Sequence, residues 1–113
     1  MSSKNYKLLL NKITSFVFDV DGVLTNGKIL VTNEGEMYRE MNTRDGFALK
    51  YALLKGFNIC IISGGTNQGV KKRLENLGVN KVYLGIHEKD IALDDFINTY
   101  NINPDEVLYM GDD

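Results

Sequence analysis

Two carboxylates, Asp19 and Asp21, stand on either side of one valine, directly after the apolar residues 16–18 and directly before Gly22. The apolar run predicts a buried strand that ends at the carboxylates, and Gly22 lets the chain turn sharply behind them. Burying two neighbouring carboxylates is costly, because each loses hydration and they repel one another, and a bound cation relieves both effects. Since the ligands are oxygens and no cluster of His or Cys accompanies them, the pair predicts a Mg²⁺ site rather than a zinc or iron site.

Polar groups also follow the other predicted strands. Ser63 and Gly64 come after the apolar residues 59–62, Lys89 comes shortly after residues 82–84, and Asp112 comes after residues 107–110. Ligands of an open α/β sheet bind outside the carboxyl ends of its strands, so these groups are expected to meet the aspartate pair. Each is also typical of an ordinary loop when taken alone. Together, carboxylates, a hydroxyl beside backbone N–H groups and an ammonium favour a site that holds and neutralises a phosphoryl group.

The elements that must position these residues are four short apolar runs and the segments between them. The runs are rich in β-branched and aromatic residues, which is typical of strands covered on both faces: 16–18, 59–62, 82–84 and 107–110. Segments with helical periodicity separate the last three. The alternation predicts an α/β fold with a parallel, Rossmann-like sheet and helices on both faces.

Three helices are predicted from caps and apolar stripes. The first starts at Asp45 as its cap, stops at Gly56, and buries a stripe formed by Phe47, Tyr51 and Leu54. The second is capped by Thr66 or Asn67, ends at Gly78, and buries Val70, Leu74 and Leu77. The third runs from about residue 88 to residue 100.

Residues 28–41 differ from the rest of the chain. Ile29 and Val31 alternate with polar residues, a turn sequence follows at residues 33–35, and apolar residues return at 37–41. This pattern predicts a β-hairpin inserted after the first strand. Because two strands alone are marginally stable in water, we expect the hairpin to pack against another subunit.

Length and composition exclude several classes of protein. The chain has 113 residues, 43% hydrophobic and 25% charged, which is typical of one globular domain. The formal net charge of −2 lacks the basic excess of nucleic-acid-binding proteins, so we expect no nucleic-acid partner. No apolar run is long enough for a signal peptide or a membrane span, so we expect a cytoplasmic protein that does not bind membranes. The single cysteine, Cys60, is expected to be a buried apolar residue, and the single histidine, His87, a surface loop residue.

The motif residues resemble those of the haloacid dehalogenase superfamily of phosphotransferases: Asp19, Asp21, Gly22, Ser63, Lys89 and Asp112 stand in its motif positions. The hairpin and residues 42–46 are similar to its small capless branch, which contains the 3-deoxy-D-manno-octulosonate 8-phosphate phosphatases. The resemblance covers nearly the whole of residues 1–113 and implies one domain that hydrolyses a phosphorylated sugar acid.

The resemblance also implies roles for individual residues. Asp19 would be the nucleophile and Asp21 the acid and base, while Asp19, Asp21 through its backbone carbonyl, and Asp112 would bind Mg²⁺. The phosphoryl oxygens would be held by Ser63, Gly64 and Lys89. Substrate neighbours would be Gly27, Thr43, Asp45 and Gly46, although Asp45 is equally well explained as a helix cap. Members of the branch are similar in being tetramers whose hairpins form a shared barrel.

Two departures from the family pattern bear on these expectations. The family usually has Arg where this chain has Gly65, and we expect Lys71, Lys72 or Arg73 to replace that cation. The family also continues beyond the position of Asp113, so the chain looks truncated and is expected to bind Mg²⁺ weakly. Two alternatives stay open: a phospho-accepting receiver domain, and an oligomerisation module of the same fold with weak catalysis.

Overall fold

A four-stranded parallel sheet forms the centre of the fold in the computed structural model, which describes residues 12–111. In chain order the elements are β1 (Ser15–Phe18), β2 (Leu30–Val31), β3 (Met37–Tyr38), α1 (Thr43–Leu54), β4 (Asn58–Ile62), α2 (Gln68–Asn76), β5 (Lys81–Tyr83), α3 (Lys89–Thr99), a 3₁₀ turn (Pro104–Glu106) and β6 (Val107–Met110). The sheet has the spatial order β5-β4-β1-β6, and every pairing is parallel. The predicted α/β fold with a parallel sheet is confirmed.

Strand β4 separates two apolar layers because successive side chains of a strand point to opposite faces. Ile59 and Ile61 pack with helices α1 and α2 on one face, where Leu49 and Leu74 belong to the same buried cluster. Cys60 and Ile62 face the other way, toward α3, whose Ala92 and Phe96 complete the second cluster. The sheet is therefore covered on both faces, which explains the unbroken apolar sequence of its central strand.

Helix α1 corrects two predictions. Its N-cap is Asn42, whose Oδ1 accepts a hydrogen bond from the Arg44 N–H at 2.7 Å, so the helix begins before Asp45. The predicted buried stripe is wrong, because its three residues are largely exposed: Phe47 at 72%, Tyr51 at 54% and Leu54 at 77%. The helix instead buries Gly46 and Leu49, and a Cβ at Gly46 would lie 3.3 Å from Leu77, the C-cap of α2. A small residue there lets the two helices approach closely, a constraint that hydrophobicity alone does not reveal.

Helices α2 and α3 follow the predicted patterns, except that Leu77, which was predicted to be buried, is only partly buried. Asn67 caps α2 by accepting a hydrogen bond from the Val70 N–H at 3.1 Å, and α2 buries Val70 and Leu74. In α3 the buried residues are Ala92 and Phe96. Among residues 12–111, no helix combines the length and apolar character that crossing a bilayer requires.

Strands β2 and β3 form the predicted antiparallel hairpin. It is short, and all four of its strand residues are exposed: Leu30, Val31, Met37 and Tyr38. Its turn is closed by a hydrogen bond from the Gly35 N–H to the Thr32 carbonyl at 3.0 Å, with Gly35 at a φ of 84°. Two short strands bury little apolar surface, so contacts with the main body must hold the hairpin in place.

Candidate active site

Asp19 lies at the carboxyl end of β1, one of the two inner strands of the sheet. It is 4% exposed, and its Oδ1 lies 2.7 Å from Nζ of Lys89, the first residue of α3. A cation in the first turn of a helix opposes the helix dipole, so the lysine is electrostatically unfavourable there unless an anion compensates it. The Asp19 carboxylate supplies that anion. The pair therefore places a buried carboxylate and an ammonium side by side at the carboxyl edge of the sheet.

Strand β6 also borders the Asp19 carboxylate. The Tyr109 hydroxyl donates a hydrogen bond to Asp19 Oδ1 at 3.3 Å, and the Asp19 N–H donates to the Met110 carbonyl at 3.1 Å. Gly111 comes next, and a Cβ there would lie 3.2 Å from Asp19 Oδ2. The end of β6 is thus directly beside the candidate nucleophile.

Asp21 lies in the turn that follows β1. Gly22 has a φ of 84° in this turn, and the buried Thr25 hydroxyl accepts hydrogen bonds from the N–H groups of Gly22 at 3.4 Å and Gly27 at 3.2 Å. The Asp21 carboxylate accepts two hydrogen bonds from Arg39: Nε donates to Oδ1 at 2.7 Å, and Nη2 donates to Oδ2 at 3.3 Å. Each of the two aspartates therefore has a cation of its own.

The loop after β4 brings a hydroxyl and backbone N–H groups to the same region. Ser63 is 5% exposed, and its Oγ accepts a hydrogen bond from the Gly65 N–H at 3.1 Å. The Ser63 backbone is fixed by bonds to the Tyr83 carbonyl and from the Ile86 N–H, both 2.9 Å long. The loop is thus anchored to the last residue of β5 and to the segment that follows it.

A cavity of about 980 Å³ joins these groups. Five of the predicted site residues line it: Asp19, Asp21, Ser63, Gly64 and Lys89. The hairpin supplies a further part of its wall, including Tyr38, whose pKa is raised by a hydrogen bond from its hydroxyl to Glu36. The volume exceeds what a phosphoryl group alone occupies and leaves room for a leaving group.

The four predicted substrate neighbours lie outside that wall. Thr43 and Asp45 line a second cavity of about 600 Å³, whose wall also includes Thr25 and Asn26 from the turn after β1. Gly27 is beside Gly22 in the turn, with a φ of 82°. Gly46 is buried at the contact between α1 and α2, where a Cβ would lie 3.2 Å from Nη2 of Arg73.

The oxygen donors at the larger cavity are of the type that Mg²⁺ prefers. Asp19 and Asp21 both line it, and the third predicted ligand, Asp112, lies outside the described residues. Within residues 12–111, no group of three or more potential ligands from His, Cys, Asp and Glu gathers at one point. The Asp19 carboxylate and the backbone carbonyl of Asp21 are oxygen donors that fit part of the ligand set of a hard cation.

Sequence reasoning missed two residues of the site, Arg39 and Tyr109. Arg39 follows the second strand of the hairpin, and its guanidinium lies beside Gly65. From sequence, Lys71, Lys72 or Arg73 of α2 was expected to supply the cation at this position. Nothing in the local pattern marks it, because its contact with Asp21 spans 18 residues. Tyr109 was assigned to an apolar strand, but an edge strand beside a carboxylate can direct a tyrosine hydroxyl toward it.

Comparison with known proteins gives one consistent set of relatives, although no protein-family model matches the chain. The chain is 38% identical over 101 residues to the 3-deoxy-D-manno-octulosonate 8-phosphate phosphatase of Escherichia coli K12, an alignment that covers 89% of this chain and 54% of that protein.

Solved structures agree with that relative. One is the phosphatase of the same name from Moraxella catarrhalis in complex with magnesium, phosphate and KDO, with a TM-score of 0.91, 27% identity, and coverage of 98% of this chain and 64% of that chain. Another, from Legionella pneumophila, is provisionally described as a HAD superfamily (subfamily III A) hydrolase, with a TM-score of 0.85, 32% identity, and coverage of 97% and 64%. The chain spans about half the length of the curated relatives it matches.

Proposed function

The chain is a homologue of the 3-deoxy-D-manno-octulosonate 8-phosphate phosphatases of the haloacid dehalogenase superfamily, and we propose that it hydrolyses the phosphomonoester of a phosphorylated sugar acid in a Mg²⁺-dependent reaction. One observation supports this proposal most. Asp19 is 4% exposed at the end of a central strand, 2.7 Å from the Lys89 ammonium, and lines a cavity that also contains Ser63. A buried carboxylate next to an ammonium and an open volume is suited to attack a phosphoryl group held there.

The reaction proceeds in two halves. In the first, Asp21 enters with Oδ2 protonated while Oδ1 keeps the hydrogen bond from Arg39 Nε. An Asp19 carboxylate oxygen attacks phosphorus while the bond to the leaving sugar oxygen breaks, and Asp21 gives its proton to that oxygen. The product is an aspartyl-phosphate on Asp19. In the second half, Asp21 takes a proton from water, the water oxygen attacks phosphorus, and the bond from phosphorus to Asp19 breaks. Inorganic phosphate leaves, and both aspartates return to their starting state.

The residues that hold the phosphoryl oxygens are Ser63, Gly64 and Lys89. Ser63 follows the end of β4, and Lys89 is the first residue of α3. Both side chains line one cavity with Asp19. Lys89 lies within ion-pair distance of Asp19, so it is placed to neutralise charge on the oxygens that approach this carboxylate.

Magnesium would be held by Asp19, by the backbone carbonyl of Asp21 and by Asp112, which lies outside the described residues. When bound, the ion supplies positive charge that offsets the repulsion between a carboxylate and a phosphate oxygen, about 4 kcal/mol per charge pair at 4 Å in an effective dielectric of about 20.

The sugar-acid substrate and the assembly are further parts of the proposal. The relative from Moraxella catarrhalis contains KDO, a sugar acid, together with magnesium and phosphate, which supports the same class of substrate for this chain. Gly27, Thr43, Asp45 and Gly46 are proposed to act from outside the main cavity, as neighbours of a site completed by another subunit. The exposed apolar hairpin residues, such as Leu30 at 68% and Val31 at 61%, support a homo-oligomer, proposed to be a tetramer.

A phosphate-release assay tests the proposal. Wild-type protein, Asp19→Asn and the exposed control Asp94→Asn are compared on a panel of sugar phosphates with Mg²⁺ or with EDTA. We expect release by the wild type and the control in Mg²⁺, and a loss of at least about 10³-fold in Asp19→Asn or in EDTA. Full activity of Asp19→Asn, or release that is independent of metal, would exclude the mechanism. Stable labelling by acetyl phosphate without turnover would favour a receiver domain.

A further inference from the structure

Arg39 connects the hairpin to Asp21, the proposed general acid of the site, through an ion pair. Its side chain is 6% exposed, whereas the Asp21 side chain that it contacts is 36% exposed. Both residues line the cavity, and the arginine is the more deeply buried of the two. Two hydrogen bonds from one planar fork, at 2.7 Å and 3.3 Å, fix the carboxylate more firmly than a single bond would.

Gly65 makes room for this guanidinium. A Cβ at residue 65 would lie 2.9 Å from Arg39 Nη2 and 3.3 Å from Cζ, and it would also lie 3.6 Å from the Ser63 hydroxyl. Any side chain at this position would force the arginine to shift. The guanidinium is thus packed between the turn that carries Asp21 and the loop that carries Ser63, and it links two parts of the site that are distant in sequence.

A second tie supports the same arrangement. The Asn67 side-chain amide donates a hydrogen bond to the Met37 carbonyl at 2.8 Å while its oxygen caps α2. Since the hairpin strands have only two residues each, these two contacts help to fix the position of the hairpin against the main body. One of the two contacts is the ion pair between Arg39 and Asp21.

We propose that Arg39 is a positioning residue: through it, the hairpin holds the Asp21 carboxylate in the place from which a proton reaches the leaving oxygen. This inference rests on the proposed function, because it assigns the proton transfer to Asp21. Proton transfer requires donor and acceptor within about 3 Å, and an aspartate in an open turn would otherwise rotate about its side-chain bonds. The 2.7 Å hydrogen bond from Arg39 Nε to Oδ1 limits that rotation while Oδ2 carries the proton.

The test compares two phosphate esters whose leaving groups differ in their need for a proton. A sugar alcohol leaves poorly without one, whereas p-nitrophenolate leaves as a stable anion. In Arg39→Gln we expect kcat on the sugar phosphate to fall by about 10- to 100-fold, and kcat on p-nitrophenyl phosphate to change by less than about threefold. Arg39→Lys should recover part of the loss, since an ammonium restores charge without the planar fork.

Three further variants sharpen the comparison. Gly65→Ala, which displaces the guanidinium without removing it, should give the same selective loss. The double variant Asp21→Asn with Arg39→Gln should lose no more than Asp21→Asn alone, because the two residues act as a unit. Lys50→Gln, which removes an exposed charge from α1, should behave as wild type on both esters.

Equal losses on both esters, or no loss on the sugar phosphate, would overturn the positioning role. A readout independent of turnover is the Arg39 Nε–H resonance in ¹⁵N–¹H spectra, which should be protected from exchange in the wild type and lost in Asp21→Asn. Absence of the protected resonance would overturn the contact itself. Wild-type protein that hydrolyses neither ester but retains this resonance would refute the proposed function while leaving the ion pair established.

Discussion

Lys89→Met removes the ammonium beside Asp19 and keeps most of the side-chain stem. Two unit charges 2.7 Å apart attract by about 6 kcal/mol in an effective dielectric of about 20, a Coulomb energy that desolvation of both groups offsets in part. Breaking a buried pair costs about 3 to 5 kcal/mol because the remaining charge stays buried. The Lys89 side chain is 29% exposed, so water can enter the vacated space, and we expect a smaller loss of about 2 kcal/mol.

Thermal unfolding measures this loss. For a domain of this size, 2 kcal/mol corresponds to a Tm lower by about 10 °C. Lys50→Met is the matched control, because Lys50 is exposed on α1, and its Tm should stay within about 2 °C of wild type. Added Mg²⁺ should raise the Tm of Lys89→Met more than that of the wild type, since the ion replaces the missing charge beside Asp19. An unchanged Tm in Lys89→Met would refute the reasoning that Asp19 is a buried anion compensated by this lysine.

Three other predictions follow from burial. Burial raises the pKa of the Cys60 thiol to about 12, so a disulfide reagent at pH 8 should leave the native protein unmodified and label one thiol after denaturation; rapid native labelling would contradict this. Because the folded-state pKa is the higher one, the stability linked to this thiol is complete below about pH 9 and is lost as the pH rises toward 12. Phe96→Ala should lower the free energy of unfolding in urea by about 3 to 5 kcal/mol, and a change below about 1 kcal/mol would argue against its place in the core. Phe47→Ser, at a residue 72% exposed, should change that free energy by less than about 0.5 kcal/mol in dilute monomer, whereas a large loss would restore the stripe first predicted for α1.

The sheet could be predicted from sequence because its signal is local. Residues 59–62 are apolar without interruption, and the structure buries all four between two layers of helices. The same logic predicted that Ser63 and Lys89 approach the aspartates, since parallel strands present their carboxyl ends at one edge. These inferences require only the order of the elements and the direction of the strands.

Helix α1 shows where this reasoning fails. The stripe predicted from its sequence, which includes Phe47, is exposed, and Leu49, Ala52 and Leu53 pack with the core cluster instead. The buried side is selected by Gly46, which allows contact with α2. That choice depends on the fit between two helices, which a single helix does not encode.

The Arg39 contact is missed for a related reason. A hairpin that could pack in several directions gives no local sign of which side chain reaches the site, and its partners Asp21 and Gly65 are separated from it in sequence. The meaning of Gly65 becomes clear only from the structure. From sequence, glycine at this position indicated that a cation of the family pattern was absent, whereas in the structure the Arg39 guanidinium lies against it.

The central claim is that Asp19 becomes phosphorylated during turnover. The most direct measurement is to quench the protein during hydrolysis of a sugar phosphate in Mg²⁺, reduce it with borohydride, and locate the modified residue by peptide mass spectrometry. An aspartyl-phosphate is reduced to homoserine, so the account predicts homoserine at position 19 and none in the EDTA control. Continued turnover with Asp19 unmodified, or homoserine at another aspartate, would contradict it.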